Sequence, residues 1–573
     1  MPTEAVDELV VVRVEGDQPT MGRDHGRLIR SVGGEGMAAD FYPRMVEHLL
    51  VQGVPPGLGR RVVQRAIRPG IEAALGRLER ARPAPLRDRT RAFLQAGGYD
   101  PDWSRYFAVM DTFQNIVGLS GRLGMTTAAR LGGAAPPACS TLMAWGDATH
   151  DGRVLHARNF DFPGRGVWDT GPVVVYCTPT SGLKYGFVTT RGADVPGVSG
   201  FNEAGLTLTM HTRFHERVRF DGITVVDLGH EILRRASTLA EAVAIAAERP
   251  VASSWGVAIS SASERRAIVI ETNGDRVRVV EPDTGRDWLP CANRYHHPDM
   301  RVGEVTISPL WPVHSQVRER RLREHVERAA EQGGLTVEAM QAMLGDHLDA
   351  EDPRVERGAG CVLSCAITVK SIVVDHDAGL LHLSGGVAPT GWGPWTSVPI
   401  DWDGPAVERL APPRPTSTVA AGLGAIGDDR TRAYARYLDA IDVDLIDGDE
   451  VERLMHVECA IALAPDDPSY RIVAAGLHMQ RGSLDAASDH LDAALANEAG
   501  AFRRGQIHLW AARVADARGR ADVAERHRDL LGHTDDPRLA AYRDASAKDR
   551  QKRYTPRRLR STVINFEMAD LTP

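Results

Sequence analysis

The stretch ACSTLMAWGDATHDGRVLHARNFDF, residues 138–162, constrains the fold more than any other part of the chain. Two runs of alternating side chains flank a polar Asp151-Gly152, and Asp-Gly between such runs is a strong short-range hairpin signal. A hairpin returns the chain on itself, so Arg158, Asn159 and Asp161 come back beside Cys139 at its start. A thiol next to a guanidinium and a carboxylate has a nucleophile's surroundings, because the cation favours thiolate over thiol. The plain alternative is a half-buried free Cys in a sheet.

The rest of the chain sets the hairpin in a larger order. At 573 residues it is too long for one ordinary core, and two or three units are expected. Residues 1–138 open on one strand, LVVVRVEG, and then read as helices: MGRDHGRLIRSV, MAADFYPRMVEHLL and RRVVQRAIRPGIEAALGRLER. A breaker-rich AARLGGAAPPA runs straight into Cys139 and reads as an exposed loop. From 139 to about 300 strands dominate, interrupted by one long amphipathic helix over roughly 224–249. A helical block over about 314–345 precedes two more strands, CAITVKSIVVDHD and GLLHLSGG, which end the unit 139–404. Strands, helices and strands without regular alternation predict a layered α+β fold with largely antiparallel sheets.

Residues 405–425 are Pro-rich and read as a linker. Residues 426–545 are Ala-rich and helical. GSLDAASDHLDAAL and GRADVAERHRDLL align at an offset of 37 residues, close to a tetratricopeptide-type period. Residues 546–573, with KDRQKRYTPRRLR, read as a basic, solvated tail.

Composition excludes several classes. A net charge of -8 gives no overall pull toward nucleic acid or membrane. Six cysteines are too sparse for a disulfide framework, and Cys361-x-x-x-Cys365 has no second half to make a zinc site. The acidic start is unlike a signal peptide, and no run of about 18 apolar residues is present, so a cytoplasmic location is expected.

Cys139 has a special option. Were the Ala138–Cys139 bond cut, the new α-amine, of pKa near ~8, would serve as general base for its own thiol. Here the residues resemble a known family. The hairpin is similar to the nucleophile hairpin of the isopenicillin-N acyltransferase-like group of N-terminal-nucleophile (Ntn) hydrolases, to which choloylglycine hydrolases are more distantly related. GRDHGRLI (22–29), PGVSGFNEAGLTLT (196–209), LPCANRYHHP (289–298), HSQVRERRLRE (314–324) and TVKSIVVDHDAGLLHLSGGVAPTGWGPW (368–395) resemble further segments of that family in collinear order.

The resemblance implies a four-layer αββα sandwich, an N-terminal pro-region, self-cleavage before Cys139, and amide hydrolysis or acyl transfer through a thioester. Carried over, Cys139 is the nucleophile, Asp161 holds the amine and Arg158 sits beside the thiol. Asn202 gives its backbone N–H and Asn293 its side-chain amide to the oxyanion hole. Arg318 is a further site residue, with Arg320 and Arg321 competing for its place. The chain departs from the family pattern in having Ala138 where Gly is frequent, and in its helical C-terminal extension.

His211 and His215 have metal-like spacing with His296 or His297, but no assured third ligand, and no metal or nucleotide cofactor is implied. His211, Tyr295 and His296 are instead candidates for lining the substrate cleft. The expected partner is a small amide or acyl substrate. The helical repeats leave room for a protein partner, as such arrays commonly bind peptides, and an oligomer stays open. The competing function is a non-catalytic scaffold that presents the repeats.

Overall fold

The computed structural model describes residues 8–33, 58–100, 108–121, 138–162, 164–195, 198–352, 355–411, 428–445 and 449–572. The expected helix over MAADFYPRMVEHLL and the loop before Ala138 lie outside these residues.

The strands come in chain order as β1 (Leu9–Gly16), β2 (Ala138–Gly146), β3 (Gly152–Asp161), β4 (Pro172–Pro179) and β5 (Tyr185–Thr190). Then follow β6 (Ser199–Asn202), β7 (Leu206–Thr212), β8 (Trp255–Ser261), β9 (Arg266–Asn273) and β10 (Arg276–Val280). The last are β11 (Trp288–Cys291), β12 (Thr368–Asp375), β13 (Leu380–Ser384), β14 (Trp395–Pro399) and β15 (Val407–Leu410). They form a nine-stranded sheet, β10-β9-β8-β7-β6-β5-β4-β1-β15, and a six-stranded one, β11-β2-β3-β12-β13-β14. Antiparallel pairing prevails, as the strand–helix–strand order predicts; β1 and β4 are parallel.

The sheets face each other through mixed apolar clusters. Met143, Trp145 and Val154 of one pack with Ala258, Ala267 and Val269 of the other. Helices cover the outward faces. Leu142, Ala144, Leu155 and Ala157 of β2 and β3 pack on Leu322, Val326, Met340 and Met343. Alternation along a strand divides its side chains between these two surroundings, one facing the second sheet and one the helices.

The N-terminal helices are α1 (Gln18–Ser31), α2 (Leu58–Ala81), α3 (Ala84–Gly97) and α4 (Val109–Gly121). In GRDHGRLI the two glycines set the packing of α1 on α3. A Cβ at Gly22 or Gly26 would stand 2.2 Å from the carbonyl oxygen of Arg89 or Phe93. His25, between them, meets Asp194 at 3.2 Å, and Arg89 donates to both oxygens of that carboxylate. With β1 inside the nine-stranded sheet, the described residues before Ala138 are woven into the core.

The long helix expected over 224–249 is two: α5 (Val225–Arg235) and α6 (Leu239–Glu248). Thr238 caps the second by accepting from Glu241 N, while Glu241 accepts from Ser237 N, a reciprocal cap that outcompetes helix continuation. The block at 314–345 is likewise α7 (Leu310–Ala330) and α8 (Val337–Leu344), the latter capped by Thr336.

Beyond the sheets lie α9 (Asp428–Leu445), α10 (Glu450–Leu463), α11 (Pro468–Arg481), α12 (Leu484–Asn497), α13 (Ala501–Ala517), α14 (Ala521–His533) and α15 (Ala540–Gln551). They pack as successive pairs, α9 with α10, α11 with α12 and α13 with α14. Two expectations are corrected here. Within the expected linker, Val407–Leu410 is a strand pairing with β1, because the alternating VERL extends the sheet edge. The basic run is exposed as expected, but the chain after it is not a tail: β16 (Val563–Asn565) and β17 (Asp570–Thr572) form a buried hairpin carrying Ile564, Phe566 and Leu571. That hairpin also packs against the helix pairs. Gly476 of α11 touches Ile564 and Leu571, Trp510 of α13 donates to Leu571 O at 3.1 Å, and Tyr437 of α9 donates to Phe566 O.

The catalytic-side loop reaches the same helices. Arg357 binds both oxygens of Glu498 at 3.0 Å and pairs with Asp349 at 2.7 Å, all buried. Leu310, Val313 and Val317 of α7 share an apolar cluster with Phe502, Leu509 and Tyr542. No helix among the described residues is long and apolar enough to cross a membrane.

Candidate active site

The hairpin register places the site. Ala138 pairs with Asp161, Cys139 with Phe160 and Thr141 with Arg158. Cys139 is buried, and Arg158 Nη2 donates to its Sγ at 3.3 Å. The same guanidinium is locked by Ser199 Oγ at 2.6 Å, Met210 O at 2.8 Å and Val198 O, so it bridges both sheets.

The main chain of Cys139 is held at both ends. Its N–H donates to Asn293 Oδ1 at 2.8 Å. Its carbonyl accepts from Arg318, which also donates to Ser140 Oγ and Asn293 Oδ1, each at 2.8 Å. The neighbouring arginines of α7 go elsewhere: Arg320 turns to Ala350 O, and Arg321 to Asp346 and Glu324.

Asp161 is fully buried. Thr368 Oγ1 donates to its Oδ1 at 2.6 Å, while Oδ2 has no hydrogen-bond partner among the described residues. Burial pushes its carboxyl up to about 6, against the opposing pull of Arg318, Thr368 and Arg158.

Cys139 and Arg158 open onto a pocket of about 620 Å³ including its mouth. Phe160, Phe162, Trp168, Val198 and Trp255 make its wall strongly apolar. Arg158 also lies over the Phe160 ring, 4.8 Å from its centroid.

Other candidates fall elsewhere. Asn202 donates from Nδ2 to Leu233 O and Ala236 O, and accepts at Oδ1 from Ala204 N and Leu206 N. It ties a turn to α5 and is not among the residues lining the pocket. Tyr295 donates to Thr272 O, and His296 meets Glu319 at 2.8 Å, both away from the pocket wall. His211 is buried between the sheets, its Nε2 2.9 Å from Thr141 Oγ1. Burial, then Arg158 and Arg213, hold it neutral, well below its ordinary range. His215 instead bonds Val302 O and Arg217 N, so these two do not form a metal pair.

The sequence reading missed Thr368 and Thr212. Thr368 pairs with Asp161 across β12 and β3, and Thr212 lines the pocket and accepts from Asn293 Nδ2 at 3.2 Å. Neither has a sequence signal beyond lying on a strand.

Residues 148–364 match the family model of acyl-coenzyme A:6-aminopenicillanic acid acyl-transferase. Over that segment, 148–364 of its 573 residues, the chain resembles Ntn-type acyltransferases and amidohydrolases. It is accordingly an enzyme, and Arg158, Asp161, Asn293 and Arg318 fall inside the matched Ntn segment. Cys139 precedes that segment by nine residues. A solved structure of the Caenorhabditis elegans N-acylethanolamine-hydrolyzing acid amidase ortholog is similar at 13% identity, covering 41% of this chain and 92% of that one, with a TM-score of 0.29. No curated protein matches the chain.

Proposed function

We propose that the chain is a self-processing Ntn hydrolase of αββα architecture in which Cys139 cleaves amides of apolar acyl groups. The observation that carries this is the setting of Cys139: thiol on Arg158, N–H on Asn293, carbonyl on Arg318, all at the edge of an apolar pocket.

Processing begins with attack of Sγ on the Ala138 carbonyl carbon. The C–S bond forms, the C–N bond to Cys139 breaks, and the nitrogen takes the thiol proton. Water then opens the ester, freeing the thiol and an α-amine. Asp161, paired opposite Ala138 and with one oxygen lacking a partner among the described residues, is read as the group that orients that amine. Residues 1–138 stay bound through β1 and the His25–Asp194–Arg89 contacts.

In turnover the amine accepts the thiol proton while sulfur attacks the substrate carbonyl. The leaving amine takes that proton away, and water or an acceptor amine resolves the thioester. An amide side chain carries two donors, and Asn293 uses one on Thr212 O, leaving the other for the oxyanion. The pocket's aromatic and aliphatic wall favours a fatty or aromatic acyl group. The helix pairs of 426–545 are read as tetratricopeptide-like, in agreement with the 37-residue offset.

Intact mass and N-terminal sequencing test the reading. Dividing 62.3 kDa by residue count predicts fragments of about 15 and 47 kDa, the larger beginning Cys-Ser-Thr-Leu and absent in Cys139→Ala. A single uncut chain that still turns over amides would remove the α-amine from the mechanism. An uncut chain without activity would favour the scaffold.

A further inference from the structure

We propose that Glu458, His478 and His490 form a divalent-cation site of the zinc class that ties the first two helix pairs of the C-terminal unit together. Glu458 lies on α10, His478 on α11 and His490 on α12, so the cluster spans the boundary between pairs. The three ligand atoms all fall within 4.8 Å of one another. His478 Nε2 and His490 Nε2 stand 3.2 and 3.0 Å from Glu458 Oε1. Donors of a tetrahedral zinc ion at ~2.0–2.1 Å are roughly 3.3 Å apart, so small side-chain shifts seat the ion.

The chemistry of the three groups agrees. The Nδ1 atoms of both rings have no hydrogen-bond partner among the described residues, so neither ring is anchored against turning onto an ion. Side-chain exposures of 15% and 12% for the histidines and 41% for the glutamate leave one side open to a water as fourth ligand. Two imidazoles, one carboxylate and water suit zinc, whereas calcium and magnesium require mostly oxygen. Without an ion, two rings share a single carboxylate oxygen, and that ion-free cluster is the competing account.

The test uses the full-length protein, stripped with chelator and titrated with zinc chloride by calorimetry, with cobalt(II) as a spectroscopic probe. The expected result is one zinc per chain and a raised thermal midpoint. Cobalt should show tetrahedral d–d bands without a thiolate charge-transfer band. His490→Gln and Glu458→Gln should each abolish this binding, while His508→Gln keeps it. His508 meets His527, at 3.1 Å, away from the cluster. Absence of stoichiometric binding by the unmutated chain overturns the proposal, as does binding undiminished in both cluster variants. A thiolate band would also overturn it, by placing the ion on a cysteine. The unmutated chain's own titration decides the matter even where a variant folds poorly.

Discussion

The Arg158 guanidinium lies 3.3 Å from the Cys139 thiol, and its other contacts are carbonyls and a hydroxyl of the opposite sheet. One side chain therefore both contacts the thiol and joins the sheets. Arg158→Lys should keep the charge yet lose the fork, since one ammonium cannot reach all of these acceptors. Turnover should fall by about 100-fold or more, ~3 kcal/mol in barrier. Arg158→Ala should in addition lower stability by roughly 3 kcal/mol, through buried carbonyls left unpaired. Steady-state kinetics beside thermal melts separate the two effects, and an Arg158→Lys enzyme of normal turnover contradicts the assignment.

Asn293 and Asn202 should behave oppositely. Asn293→Ala removes the group facing the Cys139 N–H and is expected to cut turnover by about 100-fold, the usual loss for one oxyanion donor. Asn202→Ala strips four main-chain contacts and should cost on the order of 2–4 kcal/mol in stability with turnover per folded molecule unchanged. A turnover defect in a well-folded Asn202→Ala would contradict a purely structural role for its side chain.

Acid should weaken the sheet interface. Burial, then Arg158, depresses His156 to about 3, and burial likewise depresses His211. Both pKa values are lower folded than unfolded, so the unfolded chain binds protons first on acidification. Their contribution is complete above the unfolded value of ~6.5 and is lost below it, at about 1.4 kcal/mol per pH unit for each. Chemical denaturation between pH 7 and pH 5 should show this slope, flattened in His156→Gln.

Processing should also be pH-dependent, in the direction set by Asp161. Its carboxyl, raised to about 6, is neutral below that pH and cannot hold the new ammonium. Cleavage before Cys139 is expected to slow below about pH 6, and that acidic limb should disappear in Asp161→Asn, which processes slowly throughout. A limb persisting in the variant would assign it to another group.

The helical unit should prove inseparable from the sheets. A chain ending at 411 exposes Leu310, Val313 and Val317 and leaves Arg357 facing only Asp349. Such a chain should aggregate, and Glu498→Ala alone should cost ~3–5 kcal/mol, the usual penalty for breaking a buried pair. Size-exclusion profiles and melts check both.

The local sequence made the hairpin at 138–162, the alternating strands, the apolar faces of the helices and the approach of Cys139, Arg158 and Asp161 legible. Each follows from period-two or helical patterning and from a turn residue, which act over a few positions. Arg318 was legible only as one of three arginines on a helix. The choice among them depends on which face of α7 meets β2, and that is a packing matter.

Asn202, whose backbone N–H the resemblance assigns to the oxyanion hole, has a side-chain amide that serves the turn and α5, contacts that carry no sequence signal. Thr368 and Thr212 carried no signal, because their partners Asp161 and Asn293 are far away in the chain. The buried terminal hairpin and the Arg357–Glu498 pair were equally silent. By itself, then, the sequence determined the elements and the hairpin that exposes a cysteine to an arginine, since those depend on short-range periodicity and turn chemistry. Only the tertiary structure decided which side chains meet across sheets and between units, because register, desolvation and long-range packing are set by residues hundreds of positions apart.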